Sequence, residues 1–198
     1  MSKEIIYTKS FVAPEIDRRE VLRYAGVREA TPEIEKLLDE CIEQAEKILS
    51  YKVCYGIFDI SVEEDWVKLG FSEVKSKSLS KTLSGCEGAI IFCATIGAGV
   101  DRLIAKYNLS SPARAVLTQA LGSERVEALC DSFCNQIECD INKECTRRFS
   151  PGYGDLPLSL QKNIFISLDP SKMIGVSLGE NLFMTPTKSV TAIIGIKM

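Results

Sequence analysis

The feature that most constrains the fold is a continuous apolar run at positions 88–96, with the sequence GAIIFCATI. A run of this length is typical of a fully buried strand rather than of a strand with one solvent-facing side. The turn Gly97-Ala98-Gly99 follows it, and a helical pattern extends from about Val100 to Tyr107. We therefore predict a central strand, then a tight turn, then a helix.

Further helices and strands are predicted on both sides of this strand. Thr31 is a good helix N-cap and Pro32 suits the first helical position, so a helix begins there. The longest helical pattern begins at Ser111-Pro112 and continues to about Thr146. The remaining predicted elements are a helix from Asp17 to about Gly26, strands at 52–60 and Trp66–Phe71, a short helix at Ser78–Leu83, a helix through Leu160 and Phe165, and strands around Met173–Leu178 and Ser189–Ile196. Helices and strands are mixed without strict alternation, which predicts an α+β fold.

Composition excludes several classes of function. The 198 residues suit one domain, 1–198, with a substantial core. The net charge of −3 argues against broad binding of nucleic acid or of anionic membranes. The chain has no His, so Ser-His-Asp and Cys-His nucleophile systems and His-containing zinc sites are impossible. A general base must be Asp, Glu, Lys, Tyr or part of a bound cofactor.

The first residues, MSKEIIYTKSF, are charged and lack the apolar core of a secretory signal. No apolar run approaches the ~20 residues that span a bilayer. We therefore expect a cytoplasmic protein without membrane association. In that compartment the eight Cys are expected to be thiols rather than disulfides.

Two local patterns suggest chemistry but fit a structural role better. IGAGVDRL at 96–103 is placed like a dinucleotide-binding turn, yet Arg102 takes the position of the third glycine. A tight turn from strand to helix explains its glycines equally well. Four cysteines lie close together in the chain: Cys130, Cys134, Cys139 and Cys145. On one helix Cys139 points away from the other members, so we predict buried apolar side chains and no metal site.

The most unusual segment lies at 147–157, RRFSPGYGDLP. Gly152 and Gly154 permit positive φ and a close approach of the backbone to a ligand. Arginine offers a planar fork for a carboxylate or phosphate, and tyrosine adds a ring and a hydroxyl. From composition alone, a helix stop with an arginine that caps helix carbonyls explains the segment as well. The same ambiguity applies to Lys188 and Ser189, whose spacing does not show whether they reach a ligand.

Three motifs in consistent order give the segment a context. The first is the strand at 88–97 with the helix ALGSERVEAL at 120–129, the second is R-F-S-P-G-Y at 148–153, and the third is M-T-P-T-K-S-V at 184–190. Together they resemble the reactivation domain of cobalamin-dependent methionine synthase, which binds S-adenosylmethionine and carries the signature R-x-x-P-G-Y. The resemblance implies an α+β fold with a mixed or antiparallel twisted sheet and packed helices. It covers the segment 85–198, with 1–84 as a helical and strand extension of the same domain.

The resemblance also implies a set of site residues. Arg148 would hold the carboxylate of S-adenosylmethionine, and the backbone around Ser150 and Gly152 would bind the adenosyl portion. Glu127 would face the amino group or the sulfonium end, and Tyr153 would lie where the methyl group meets cobalt. Glu127 and Tyr153 are therefore the implied catalytic residues as well as ligand contacts. A further carboxylate that the family supplies from its N-terminal part has no match in this sequence.

Two departures from the family shape the implied function. The family's loop continues with a Cys-Pro-acidic-His run, whereas this chain has Leu-Pro-Leu-Ser at 156–159. The other departure is that no homocysteine-, folate- or cobalamin-binding module accompanies the domain, and the cobalamin signature D-x-H-x-x-G cannot occur without His. The resemblance therefore implies an accessory subunit that acts in trans on a separate corrinoid methionine synthase and supports methyl transfer from S-adenosylmethionine to cobalamin. A reduced electron donor such as a flavodoxin or ferredoxin would supply the electron to the inactive cob(II)alamin.

Three alternatives remain open on the sequence. In the first, the chain reactivates another corrinoid methyltransferase. In the second, it senses S-adenosylmethionine without catalysis, and in the third, it keeps the fold without binding the ligand. Methylation of a corrinoid in a reconstituted mixture separates the reactivators from the sensor. The intact R-x-x-P-G-Y motif and Glu127 argue against a purely structural role.

Overall fold

A computed structural model describes residues 5–198 of the chain. The elements in order are β1 (Ile6–Phe11), α1 (Arg18–Tyr24), α2 (Pro32–Glu46), β2 (Tyr51–Phe58), β3 (Ile60–Glu63), β4 (Trp66–Leu69), β5 (Ser72–Lys75), α3 (Lys77–Leu83), β6 (Cys86–Thr95), α4 (Gly99–Ser110), α5 (Pro112–Ile141), α6 (Leu160–Leu168), α7 (Pro170–Ile174), β7 (Ser177–Leu178), β8 (Met184–Thr185) and β9 (Ser189–Lys197). The predicted α+β class is confirmed.

The central sheet has the strand order β1-β2-β6-β9, and all its neighbouring strands are antiparallel. Strand β6 contains the apolar run and is paired on both edges, as predicted, with β2 on one side and β9 on the other. Every residue from Gly88 to Thr95 is buried. The single-domain organisation stays a prediction, and it is supported by this sheet, which joins strands from the segments 6–58 and 86–197.

Alternate residues of β6 supply two different cores. Ile91 faces a cluster formed with α3, α6, α7 and the small sheet β3-β4-β5. Ile90 faces the opposite cluster, in which Leu129 and Phe133 of α5 pack on the sheet. A third cluster around Leu38 joins α1, α2 and α4 to the first half of α5. Helix α5 therefore contacts most of the fold, and its second half forms a wall beside the sheet.

Most predicted elements are confirmed, and the differences have local causes. Helix α5 ends at Ile141 rather than near Thr146, because Asn142 adopts a left-handed conformation with φ of 52°. The strand expected around Met173–Leu178 is wrong over its first part, which lies in α7. Asp169 accepts a hydrogen bond from the backbone N–H of Lys172 and so caps that helix. Strands β1, β5 and β8 are not predicted, and of β3 only its first residue, Ile60, falls within a predicted strand.

The glycines after β6 serve the tight turn. Gly97 has a φ of 82°, and a Cβ at Gly99 would lie 2.5 Å from the backbone oxygen of Ile48. A Cβ at Gly97 would lie 2.4 Å from the hydroxyl oxygen of Ser50. The chain that leads from α2 into β2 thus occupies the space beside both glycines, which favours the turn interpretation over a phosphate-binding loop.

The cysteines are all free thiols, and most are at least partly covered. Cys130 is buried, which raises its pKa, while Cys139 is exposed on the other side of α5. Between residues 5 and 198 no three Cys, Asp or Glu side chains are arranged to hold a metal ion. None of the helices in that range combines the length and the apolar character that a bilayer crossing requires.

Candidate functional site

The candidate site is a cavity of about 450 Å³ between α5, the loop that precedes α6, and the start of β9. This volume lies in the usual range for small-molecule sites. The lining residues are Glu127, Arg148, Phe149, Ser150, Pro151, Tyr153, Gln161, Met184, Ser189, Val190 and Thr191. The motifs at 120–129, 148–153 and 184–190, which are far apart in the chain, therefore meet at one cavity.

Four of the five predicted site residues line the cavity, and the fifth lies in the same loop. Glu127, Arg148, Ser150 and Tyr153 all line the cavity. Gly152 lies in the same loop without lining it, and its φ of 91° turns the chain between its lining neighbours. Tyr153 is 69% exposed, so its ring lies at the mouth of the cavity rather than in its floor.

Backbone hydrogen bonds fix the loop at its start and close it on itself. Phe149 exchanges two hydrogen bonds with Ile193 of β9, with N···O distances of 2.8 and 2.9 Å. Further along, the N–H of Gly152 donates to the carbonyl oxygen of Leu156 at 2.9 Å, and the N–H of Leu156 donates to Tyr153 at 3.0 Å. The loop is therefore an extension of the sheet that ends in a compact turn.

Asp155 anchors the far end of the loop to α3. Its carboxylate accepts hydrogen bonds from the Ser76 hydroxyl at 2.6 Å and from the backbone N–H groups of Lys77 and Ser78 at 2.7 and 3.1 Å. The two backbone donors are among the groups at the start of a helix that otherwise have no partner. The bonds, above all the one from Ser76, hold the pKa of the Asp155 carboxyl well below its usual range. Sequence reasoning did not identify this anchor.

The Asp155→Asn variant is expected to lower Tm at neutral pH, because an amide replaces a charged acceptor that receives three donors. A carboxyl whose pKa is depressed by folding stabilises the protein above its unfolded pKa, about 3.9, and loses that effect as pH falls towards the folded pKa. The Tm difference between wild type and variant should therefore be constant from pH 5 to 8 and shrink below about pH 4.

Thermal unfolding as a function of pH measures this difference. The exposed Asp59 offers a matched control, and Asp59→Asn should give no comparable loss. A Tm difference for Asp155→Asn that persists unchanged at the lowest pH would contradict the role of the carboxylate charge.

Arg148 lies in a cluster of opposite charges. Its guanidinium donates to the carboxylates of Glu127 and Asp131, which are one turn apart on α5. Burial alone would lower the pKa of Arg148, but its neighbours raise it overall. A guanidinium has five N–H donors, so donors remain for a ligand carboxylate while both ion pairs persist. The cluster of Arg148, Glu127 and Asp131 carries one net negative charge.

A second cavity, of about 460 Å³, shares Glu127 and Arg148 with the first. Its other lining residues are mostly acidic and come largely from the N-terminal segment: Glu15, Asp17, Glu20, Tyr24, Glu124, Ala128 and Asp131. The sequence resemblance places no N-terminal carboxylate, whereas the structure brings three of them beside Arg148 and Glu127. Sequence analysis missed these carboxylates because their place in the site depends on a contact between segments more than a hundred residues apart.

A buried ion pair holds the N-terminal segment in that position. The side chains of Arg125 and Glu124 are 1% and 6% exposed and pair with each other. Arg125 also donates to the backbone oxygens of Pro14 and Glu15, and Glu124 accepts from the backbone N–H of Asp17 at 3.1 Å. Residues 14–17 are therefore fixed against α5, within one turn of Glu127.

The floor of the first cavity contains a polar residue that sequence reasoning also missed. Gln161 is 5% exposed, and its Nε2 lies 3.5 Å from the Oγ1 of Thr191. Ser189 is used internally, since its hydroxyl bonds to Thr95 and to the Pro186 carbonyl at 2.9 and 2.8 Å. Lys188 is not among the lining residues and donates instead to the Ser123 hydroxyl at 2.8 Å.

Neither a family model nor a curated protein matches the sequence. A solved structure does match: the crystal structure of the MetH reactivation domain bound to AdoHcy, with a TM-score of 0.70 over 98% of this chain and 79% of that chain. This is the fold of the MetH reactivation domain. The two chains share 15% of their residues, so the similarity is one of fold.

The match to the MetH reactivation domain extends beyond the motifs. The resemblance in sequence begins near residue 85, yet the match in structure covers 98% of the chain and so includes most of the N-terminal part. The resemblance inferred from three motifs is thus confirmed at the level of the fold. The N-terminal helices and strands, whose sequence gives no match, are part of the same architecture.

Proposed function

We propose that this protein binds S-adenosylmethionine in the cavity beside Arg148 and acts in trans as the reactivation partner of a cobalamin-dependent methionine synthase. The observation that carries the proposal is the meeting of Glu127, Arg148, Ser150 and Tyr153 at one cavity. Glu127 comes from the helix motif at 120–129 and the other three from the loop motif at 148–153, and the fold is that of a domain whose solved structure holds AdoHcy.

The charges of the cavity complement those of the proposed ligand. S-adenosylmethionine carries a carboxylate, an ammonium and a sulfonium, hence one net positive charge. Arg148 and Glu127 line the cavity as an ion pair, and Asp131, which lines the adjoining cavity, brings the cluster to one net negative charge. Arginine is suited to a carboxylate because its N–H groups form a planar fork. The carboxylates beside it are suited to the ammonium and the sulfonium.

Each residue then has a distinct task. Arg148 binds the ligand carboxylate with donors that its ion pairs leave over, and Glu127 accepts from the amino group. Ser150 and the backbone near Gly152 bind the adenosyl portion. Tyr153, exposed at the mouth, lies where a corrinoid would approach. When bound, S-adenosylmethionine supplies the transferable methyl group, and the protein contributes orientation rather than a covalent nucleophile.

The partners of the reaction lie outside this chain. The corrinoid protein carries cobalamin, and a reduced flavodoxin or ferredoxin provides the electron, in a cytoplasmic setting. Methylation of the reduced cobalt removes it from an unfavourable equilibrium, so the reduction is drawn forward by mass action. No His is available for proton transfer, which suits a role that consists of binding and presentation.

Calorimetric titration with S-adenosylmethionine and S-adenosylhomocysteine tests the binding step. At low salt we expect S-adenosylmethionine to bind more tightly, by up to about fivefold, because its sulfonium adds one partly screened attraction. This advantage should shrink as salt is raised. 5′-Methylthioadenosine, which lacks the amino-acid portion, should bind more weakly than either.

Three outcomes would count against the proposal. Absence of binding heat and of thermal stabilisation with all of these ligands would refute the site. Binding without any stimulation of cob(II)alamin methylation, in a mixture with methionine synthase and reduced flavodoxin, would favour a sensor of S-adenosylmethionine. Stimulation of a different corrinoid methyltransferase alone would reassign the partner.

A further inference from the structure

Gln161 has a buried acceptor that the fold does not use. Gln161 is 5% exposed, and its Oε1 has no hydrogen-bond partner between residues 5 and 198. The other end of the amide is engaged, since Nε2 lies 3.5 Å from the Oγ1 of Thr191. A buried acceptor without a partner is costly and is rare in folded proteins. Since Gln161 lines the candidate cavity, its free acceptor is available to a ligand bound there.

The packing of α6 holds this amide in place. Leu160, Ile164 and Leu168 follow the helical repeat and are buried in the core cluster beneath the sheet. Gln161 is adjacent to that buried stripe, so its backbone cannot shift without disturbing the core. Thr191, which it contacts, belongs to β9, the same strand that pairs with the start of the loop at Phe149. The acceptor is therefore preorganised between two rigid elements.

We propose that Gln161 is a specificity-determining residue, whose Oε1 accepts a hydrogen bond from a neutral N–H or O–H donor on the adenosyl group. This inference rests on the proposed function and extends it. The charged portion of the ligand is matched by Arg148, Glu127 and Asp131, whereas a carboxamide carries no charge. The donors that a neutral acceptor suits are the 6-amino group of adenine and the ribose hydroxyls.

Titration of three proteins with S-adenosylhomocysteine tests the assignment. Gln161→Leu removes the acceptor at similar size, and Gln44→Leu, on the exposed side of α2, is the matched control. We expect Gln161→Leu to bind roughly 2- to 13-fold more weakly, as for loss of one hydrogen bond. The unliganded Tm should not fall, because the variant removes an unsatisfied buried group. Gln161→Met is the second variant if leucine disturbs folding.

Ligand analogues then identify the donor. Analogues of S-adenosylhomocysteine that lack the 6-amino group, the 2′-hydroxyl or the 3′-hydroxyl are titrated into wild type and Gln161→Leu. The analogue without the relevant donor should lose affinity for wild type and show no further loss with the variant. That non-additivity is the signature of a direct contact.

The results separate this inference from the function on which it rests. Binding of S-adenosylhomocysteine by Gln161→Leu and Gln161→Met with wild-type affinity would overturn the assignment of Gln161 alone. Full additivity with every analogue would also overturn it. No binding by wild type and by Gln44→Leu would overturn the proposed function together with the inference.

Discussion

The Arg148→Met variant is expected to bind S-adenosylmethionine roughly 10- to 150-fold more weakly than wild type. A hydrogen bond to a charged group contributes about 1.5–3 kcal/mol, which converts to this range. Methionine keeps a long unbranched stem and so preserves much of the packing of a side chain that is 24% exposed. What the variant loses is the only cation among those of residues 5–198 that line the first cavity. Glu127 in this cavity and Asp131 in the adjoining one are then left without their cation, which further disfavours the ligand carboxylate.

Calorimetry with two ligands and a matched variant makes this test specific. Arg147→Met removes the neighbouring, exposed arginine and should leave affinity unchanged. 5′-Methylthioadenosine has no carboxylate, so its affinity should be the same for wild type and Arg148→Met. An equal loss for both ligands would show that Arg148 supports the shape of the cavity rather than the carboxylate. An equal loss for both variants would point to a general effect of charge.

The Glu124→Ala variant is expected to lower the free energy of unfolding by about 3–5 kcal/mol. The side chain of Arg125 is 1% exposed, and removal of Glu124 leaves its charge without a counter-ion. Breaking a buried pair in this way costs far more than breaking a surface pair, because the remaining charge cannot be solvated. The acceptor for the backbone N–H of Asp17 is lost as well.

Urea unfolding with linear extrapolation measures the change. Glu43→Ala is the matched control, since Glu43 pairs with Lys47 on the surface of α2 and its removal should have a far smaller effect. Replacing both members of the buried pair by apolar residues should recover part of the lost free energy of unfolding, because no unpaired charge then remains buried. If Glu124→Ala unfolds at the same urea concentration as Glu43→Ala, the buried pair does not stabilise the fold.

The predictability of the fold followed the amount of apolar pattern in each element. Strand β6 was predictable because its eight consecutive buried positions contain no polar residue before the last, Thr95. Helix α5 was predictable from Ser111-Pro112 and its length. Strand β1 was not, because it lies at the edge of the sheet with half of its residues exposed, and its polar residues conceal the alternation. Strands β3 and β5 have four residues each, too few for a period to stand out.

For the candidate site, predictability depended on whether a residue belongs to a contiguous motif. Residues inside a contiguous motif, such as Arg148 and Tyr153, were accessible because the motif carries them together. Asp155 and Gln161 were not, since their importance arises from partners 79 and 30 residues away in the chain. The carboxylates of the N-terminal segment reach the site through Arg125 and Pro14, which are separated by 111 residues. Contacts of this kind depend on the topology and leave no local trace in the sequence.

The alternation of β6 between two cores has a consequence for how such a chain can change. Exchange of one apolar side chain for another of similar volume on this strand changes the stability only modestly, because a core tolerates such exchanges when its total side-chain volume is kept. Insertion or deletion of one residue would move every following side chain into the opposite core. The fold therefore constrains the number of residues in this strand more tightly than the identity of each apolar residue. Two chains that share 15% of their residues can accordingly keep one architecture.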